Sequence, residues 1–307
     1  MRPLARAIVA CLFALGWSGL SAQGAAGSLE VRPVVSRAFI IVLENRDYGQ
    51  VIGNASFPNL NRLARTYGLA SNYAGVAHPS LPDYVALISG STFGSRSDNP
   101  LQRFPGPTLV DQMSAKNLAW RGYFEGLPSV GFTGSYAGQP ILYAKKHNPF
   151  MLFPHLANDA KAAANVRPLS DLKLEVNAPD APRLAFIVPD LCHDIHGAPS
   201  CPITPALNAA GDAFVNDLVV MIQASKAWTP GAAIIITFDE GVGESPHGAG
   251  GRVATIVVTR DGPRGVVDDA PYTHYSLLAT LEDAWGLTRL REAKTAGVMT
   301  PLFAPKK

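Results

Sequence analysis

Four continuous apolar runs of strand length constrain this chain most: residues 37–43, 183–188, 232–238 and 253–258. A strand with one wet face alternates polar and apolar side chains, whereas a run that is apolar throughout suits a strand buried on both faces. Segments of helical period lie between and around these runs. Residues 57–67 show it through Leu60, Leu63 and Ala64, and residues 108–116 through Leu109, Gln112 and Met113. Residues 206–225 carry a stripe of Phe214, Leu218, Met221 and Ile222, and a helix opening at Tyr272 presents Leu277, Leu278, Leu281 and Trp285. Residues 120–125 suit a further strand. Buried strands alternating with helices predict an α/β fold, with a mostly parallel sheet covered on both faces.

The chain is long enough for one sizeable core or two modest ones, and no repeat, low-complexity tract or linker divides it. With 307 residues at 47% hydrophobic, its 28 Gly and 25 Pro do not make it collagen-like or disordered. A net charge of +2 without a basic stripe gives no reason to expect a nucleic-acid partner. Arg2 and Arg6 precede a short apolar run, residues 7–15, and then small residues, which predicts a leader peptide cleaved after Ala22 or Ala26. The mature chain, residues 27–307, is then expected to be a single exported domain without a membrane span, periplasmic or secreted. Cys11 would leave with the leader. The remaining pair, Cys192 and Cys201, close in sequence and in an oxidising compartment, predicts a disulfide.

Three of the apolar runs end in polar clusters: Glu44-Asn45, Asp190 with the loop His193-Asp194-Ile195-His196, and Asp239-Glu240. Ligands of open parallel sheets bind beyond the carboxyl ends of the strands, so these segments are expected at one edge of one sheet. Glu44, Asn45, Asp239 and Glu240 offer only oxygen donors, which suit a hard or borderline divalent cation. Ser80 stands where an N-cap belongs, Pro82 falls in the first turn of the helix that follows, and Asp83 lies three residues on, as in a capping box. Taken alone that is a plain capping serine. A hydroxyl at a helix start, close to acids that hold a metal, is also placed for phosphoryl transfer. Asp194, His196 and His274 would then orient groups or move protons. His155 reads as structural or surface, and His247 either enters the site or caps a loop. Residues 126–177 read as irregular, and the basic, aromatic-flanked patch 143–150 within them reads as a solvated loop, with a phosphate contact as the alternative.

In their order and spacing these segments resemble the bacterial phosphoesterase family of secreted acid phosphatases and phospholipases C, within the alkaline-phosphatase superfamily. The residues that carry the resemblance are Glu44-Asn45-Arg46, Ile52-Gly53-Asn54, His78-Pro79-Ser80-x-Pro82-x-Tyr84 and Lys146-His147-Asn148-Pro149. Asp194-Ile195-His196, Thr237-Phe238-Asp239-Glu240 and His274-Tyr275-Ser276-Leu277-Leu278 complete the set. The resemblance implies a three-layer α/β/α sandwich with one divalent metal ion at the carboxyl edge of the sheet. It implies Ser80 as nucleophile and as a metal ligand beside Glu44, Asn45, Asp239 and Glu240. His196, supported by Asp194, would act on the phosphoryl group or serve as the acid. His274 matches the family's late histidine, and His78, Lys146, His147 and His193 are taken as substrate contacts.

Gly197 stands where relatives often have a second acid, and Asp83 where they often have Asn. Both changes bear on substrate preference rather than on nucleophile or ligands. The implied activity is hydrolysis of phosphate monoesters through a phosphoserine intermediate, with a phospholipase C-type diesterase as the alternative. A carboxylic-ester hydrolase would need the G-x-S-x-G elbow that this chain lacks. A binding module would be expected to lack the nucleophile or a ligand.

Overall fold

Each apolar run forms a strand in the computed structural model, which describes residues 33–303, all within one compact unit, Arg32–Lys307. The expected leader and its cleavage points lie outside the described residues. The strands are β1 (Arg37–Leu43), β2 (Gly68–Ala74), β3 (Trp120–Phe124), β4 (Tyr136–Ala137), β5 (Tyr143–Ala144) and β6 (Val166–Pro168). After them come β7 (Leu184–Val188), β8 (Ala232–Phe238), β9 (Arg252–Thr259), β10 (Val266–Asp268) and β11 (Tyr272–Thr273). Nine form one sheet in the order β10-β2-β9-β8-β1-β7-β3-β6, with β11 beside β2, while β4 and β5 pair separately. The sheet is mostly parallel, as expected. Only β9 runs against its neighbours, antiparallel to both β2 and β8.

Every residue of β7 and β8, and all of β1 after Arg37, is buried. Burying one such Ile or Phe side chain contributes about 1.5–3 kcal/mol, so this three-strand centre fixes the register firmly. In that register Leu43 lies opposite Phe238, and Ile41 opposite Ile187. The three parallel strands therefore end at one edge. The backbone continues the pairing there: Asp239 N–H donates to Leu43 O at 2.9 Å, and Glu44 N–H to Asp194 O at 2.9 Å.

Helices cover the sheet in two groups. Pro58–Thr66 packs on Pro205–Gln223, and Ser80–Ser89 packs on His274–Ala284. The 19-residue helix is capped by the Thr204 hydroxyl, which accepts from Leu207 N at 3.1 Å, and it starts with proline. Its buried stripe is Leu207, Gly211, Val215, Leu218, Val219 and Ile222, so Phe214 and Met221 sit at the margin rather than on the stripe as expected. The first turn of Pro58–Thr66 has no cap of its own. Buried Asp212 supplies it from the neighbouring helix, accepting from Asn59 N at 3.0 Å and Leu60 N at 2.8 Å. The expected helix at Tyr272 starts two residues later, because Tyr272–Thr273 pairs with β2 as β11 and Thr273 caps the helix.

Residues 126–177 are not uniformly irregular: they hold β4 to β6 and short helical turns. Nor is the patch 143–150 a solvated loop. Lys145, His147 and Asn148 are buried there, because the segment passes under the ends of the central strands.

Candidate active site

Ser80 is the first residue of a helix whose ten residues, Ser80–Ser89, are all buried. The expected cap does not form. Pro79 occupies the N-cap position in extended conformation, and Asp83 turns to the loop before it, where Asp83 Oδ1 accepts from Val76 N at 2.7 Å and Ala77 N at 3.2 Å. The helix start is not left bare either, since Leu81 N–H donates to Asp98 Oδ1 at 3.0 Å.

The hydroxyl lies between two carboxylates, 2.9 Å from Glu44 Oε2 and 3.1 Å from Glu240 Oε1. It has one proton for two acceptors, so the second carboxylate needs a proton or a cation. Glu44 also accepts from Tyr84 OH at 2.5 Å and from Asn45 Nδ2 at 2.9 Å, while Asn45 N–H reaches Asp239 Oδ1 at 3.1 Å. Glu240 is paired with His78. The expected ligand set is thus linked contact by contact around Ser80.

Burial and mutual repulsion govern the charges. Burial is the main cause that raises Glu44, against the pull of Lys146, His196, Tyr84 and Ser80. Burial, then Glu44 and Glu240, hold Asp239 well above the usual carboxylate range; burial, then Glu44, do the same to Asp194. Glu240 is pushed up to about 7 by burial, which His78 opposes. Asp239 Oδ2 and Asp194 Oδ2 are buried without a hydrogen-bond partner. Buried carboxylates with unpartnered oxygens are short of positive charge, and such a set fits a hard or borderline divalent cation.

His147 stands among these acids rather than in solvent. Its Nε2 is 3.2 Å from Glu44 Oε1, its Nδ1 3.5 Å from Asp194 Oδ2, and its ring stacks on Tyr84 at 5.1 Å. Burial, then Lys146 and His196, lower its pKa well below the usual value, so the ring is a neutral one, suited to ligation as well as to contact. Among the described residues, Glu44, His147 and Asp194 form one of two groups able to bring three ligand atoms within 4.8 Å of one another.

The other such group is Glu125, Asp190 and His193. His193 Nδ1 lies 2.9 and 3.0 Å from the two Glu125 oxygens, and its ring stacks on Phe214 at 4.1 Å. The structure therefore directs His193 to Glu125 and not to Ser80. His274 is fully buried and stands behind the site. Its Nε2–H donates to Asp239 O at 2.5 Å and its Nδ1 accepts from Tyr73 OH at 3.0 Å, so both ring nitrogens are engaged away from the Ser80 hydroxyl. His155 is exposed and meets Asp111 at 2.9 Å; His247 lies on an exposed loop.

The loop with Asp194 and His196 is held from two sides. Cys192 and Cys201 form the expected disulfide. Arg46, 7% exposed, donates to Asn45 O at 2.8 Å, to Ile195 O at 2.9 Å and to Asn208 Oδ1 at 3.3 Å. Asn45 (φ 54°) and Ile195 (φ 77°) are both left-handed, a costly conformation for a β-branched residue and one that persists only where its surroundings enforce it. Asp194 Oδ1 accepts from His196 N at 2.7 Å. His196 Nδ1 lies 2.8 Å from Gly197 O, and since a carbonyl only accepts, that nitrogen carries a hydrogen and Nε2 faces Lys146 Nζ at 3.4 Å.

Sequence reasoning missed Asp98 and Glu125, which follow no apolar run and sit in no motif. Tyr84 stood within a motif that gave it no role of its own, and Asp83 was read as half of a capping box.

Residues 54–288 match the family model described as "Phosphoesterase family". The chain is 31% identical over 284 residues to a probable acid phosphatase of Kluyveromyces lactis, an alignment that takes in 87% of this chain and 64% of the yeast protein. It therefore spans less than two thirds of that relative. It is 28% identical over 298 residues to the phosphatidylinositol-3-phosphatase of Mycobacterium tuberculosis, covering 96% of this chain and 92% of that one. In fold it is similar to a protein in the alkaline phosphatase superfamily from Vibrio parahaemolyticus, with a TM-score of 0.58 at 12% identity over 86% of this chain and 71% of that one. A match over most of the chain, on a sheet that gathers its acids at the expected edge, makes this protein a member of the Phosphoesterase family.

Proposed function

We propose that this chain is an exported, metal-dependent phosphatase of phosphate monoesters, with residues 27–307 as one catalytic domain and Ser80 as its nucleophile. The observation that carries the reading is the Ser80 hydroxyl between Glu44 and Glu240, inside a buried set of carboxylates short of positive charge. The names of its relatives, an acid phosphatase and a phosphatidylinositol phosphatase, support monoester chemistry. The disulfide, and the lack among the described residues of a helix long and apolar enough to cross a membrane, are consistent with export.

Glu44, Asn45, Ser80, Asp239 and Glu240 would hold one divalent cation, with His147 and Asp194 as neighbouring candidates. Such an ion, when bound, lowers the cost of a Ser80 alkoxide and offsets phosphoryl charge. Ser80 Oγ passes its proton to one of the two carboxylates it touches, Glu44 or Glu240, and attacks phosphorus in line; the bond to the leaving oxygen breaks and a phosphoserine forms. In its imidazolium form His196 gives the leaving alkoxide a proton from Nε2, which faces the site because Gly197 O engages Nδ1. Water then cleaves the phosphoserine and releases phosphate. Lys146 binds a phosphoryl oxygen, and His78 keeps Glu240 in place. Most of the acceleration comes from positioning and charge stabilisation, as in phosphoryl transfer generally.

The test is hydrolysis of p-nitrophenyl phosphate beside p-nitrophenyl phosphorylcholine, with and without EDTA, by wild type and Ser80→Ala. Chelator-sensitive turnover of the monoester, lost in Ser80→Ala while phosphate still binds, is the expected result. Equal turnover by the variant overturns the nucleophile, and preference for the choline diester overturns the monoester reading.

A further inference from the structure

We infer that Asp98 is a positioning residue for phosphate binding, acting through Lys146; this deepens the reading of Lys146 as a phosphate contact and rests on it. Asp98 lies in the loop that leaves the Ser80 helix, and its two oxygens point to different partners. Oδ1 accepts from Leu81 N–H at 3.0 Å, one residue from the nucleophile, and Oδ2 accepts from Lys146 Nζ at 2.7 Å. One carboxylate thus ties the ammonium to the backbone next to Ser80.

The lysine has little other support. Its side chain is 13% exposed, and of its three N–H groups one serves Asp98 and one faces His196 Nε2 at 3.4 Å. The third is left for a ligand. The ammonium is close enough to Glu44 to pull that carboxyl down against burial. An unheld lysine keeps rotamer freedom that it loses on binding unless a partner has already ordered it. Asp98 is that partner. By occupying the Leu81 N–H it also removes a backbone donor that would compete with Lys146 for the phosphoryl group.

Asp98 touches neither substrate nor reacting atoms, so its effect should exist only while Lys146 is present. The experiment is a double-mutant cycle on cation-loaded protein: wild type, Asp98→Asn, Lys146→Met and the double variant, with orthophosphate affinity measured by calorimetry. Asparagine keeps an acceptor for Leu81 N–H, and Asp98→Ser replaces it if the first variant folds poorly. Asp98→Asn should weaken phosphate roughly tenfold or more, the worth of a charge-assisted hydrogen bond, and raise KM while kcat stays within about twofold. In the Lys146→Met background it should change nothing further. Equal losses in both backgrounds, unchanged or tighter binding by Asp98→Asn, or unchanged binding by Lys146→Met overturns the inference. Wild-type turnover of p-nitrophenyl phosphate judges the enzyme reading separately, so either can fail while the other stands.

Discussion

Removing the Arg46 guanidinium should separate the histidine loop from the strand that carries Glu44. The side chain is 7% exposed and spans three segments, donating to Asn45 O, Ile195 O and Asn208 Oδ1. Each buried acceptor left without a partner costs about 1–3 kcal/mol, and water entering the vacated space recovers part of that. Two of the three acceptors belong to residues in left-handed conformation, whose strain of about 1–3 kcal/mol each relaxes once they are no longer held. Relaxation softens the stability loss but moves Asp194 and His196 relative to Glu44. Arg46→Ala should therefore cost about 3–5 kcal/mol in urea unfolding and lower kcat/KM on p-nitrophenyl phosphate by about a hundredfold, the penalty of roughly 1 Å of misplacement. Arg46→Lys, which keeps the charge but loses the planar fork, should fall between the two. A loss under 1 kcal/mol for Arg46→Ala, or a lysine variant equal to wild type in both assays, would refute the reasoning.

Glu282 is fully buried, with Oε1 accepting from Leu290 N at 2.9 Å and Oε2 unpartnered, and burial pushes its carboxyl up to about 8. The fold thus keeps a proton that the unfolded chain releases above about pH 4.5. Stability should fall by about 3–5 kcal/mol as pH rises from there to about 8, and Glu282→Gln should flatten that slope in denaturant melts at pH 5, 7 and 9. At Gly75 an added Cβ would lie 2.7 Å from both Asp239 O and Gly250 O, so Gly75→Ala forces the backbone at Asp239, at Gly250 or at residue 75 itself to shift. A loss of tenfold to a hundredfold in kcat/KM, with about 1–3 kcal/mol of stability, is expected; wild-type kinetics would show that Asp239 tolerates the shift. Breaking Cys192–Cys201, which closes a loop of sequence separation 9, should cost roughly 2.5 kcal/mol, read as the melting difference between wild type and a Cys192→Ser/Cys201→Ser protein.

The sheet was legible where burial on both faces leaves few polar residues in a strand: β7 is apolar end to end, β1 is so after Arg37 and β8 but for Thr237, and the acids after them mark one edge. β2 was not, because Gly-Leu-Ala-Ser-Asn-Tyr-Ala shows neither a run nor an alternation. It is a strand because β9, β10 and β11 all pair with it, around an irregularity between Ala70 and Tyr73. The reversal of β9 was equally hidden, since a buried antiparallel strand has the same composition as a parallel one. At the site, the ends of strands announced Glu44, Asp239 and Glu240, but long-range pairing decided the rest. His147 looked solvated because its neighbours are basic and polar, and it is buried because Glu44 and Asp194 receive it. His193 looked like a partner of His196 on one short loop, yet Glu125, at the end of β3, draws it elsewhere. Ser80 looked like a cap; Asp83 was already committed to the preceding loop, and proline took that position.

The helix that begins at Ser80 is enclosed along its whole length. A part fitted on every side resists gradual alteration, since most changes to it disturb several neighbours at once. Other segments are under no such discipline: Leu101, Val130, Tyr136 and Ile141 are all at least 45% exposed. On the proposed phosphatase reading, changes of substrate should therefore accumulate in such exposed segments while the helix is inherited as a block. Anyone altering this protein would do best to change exposed segments and leave the serine's own support untouched.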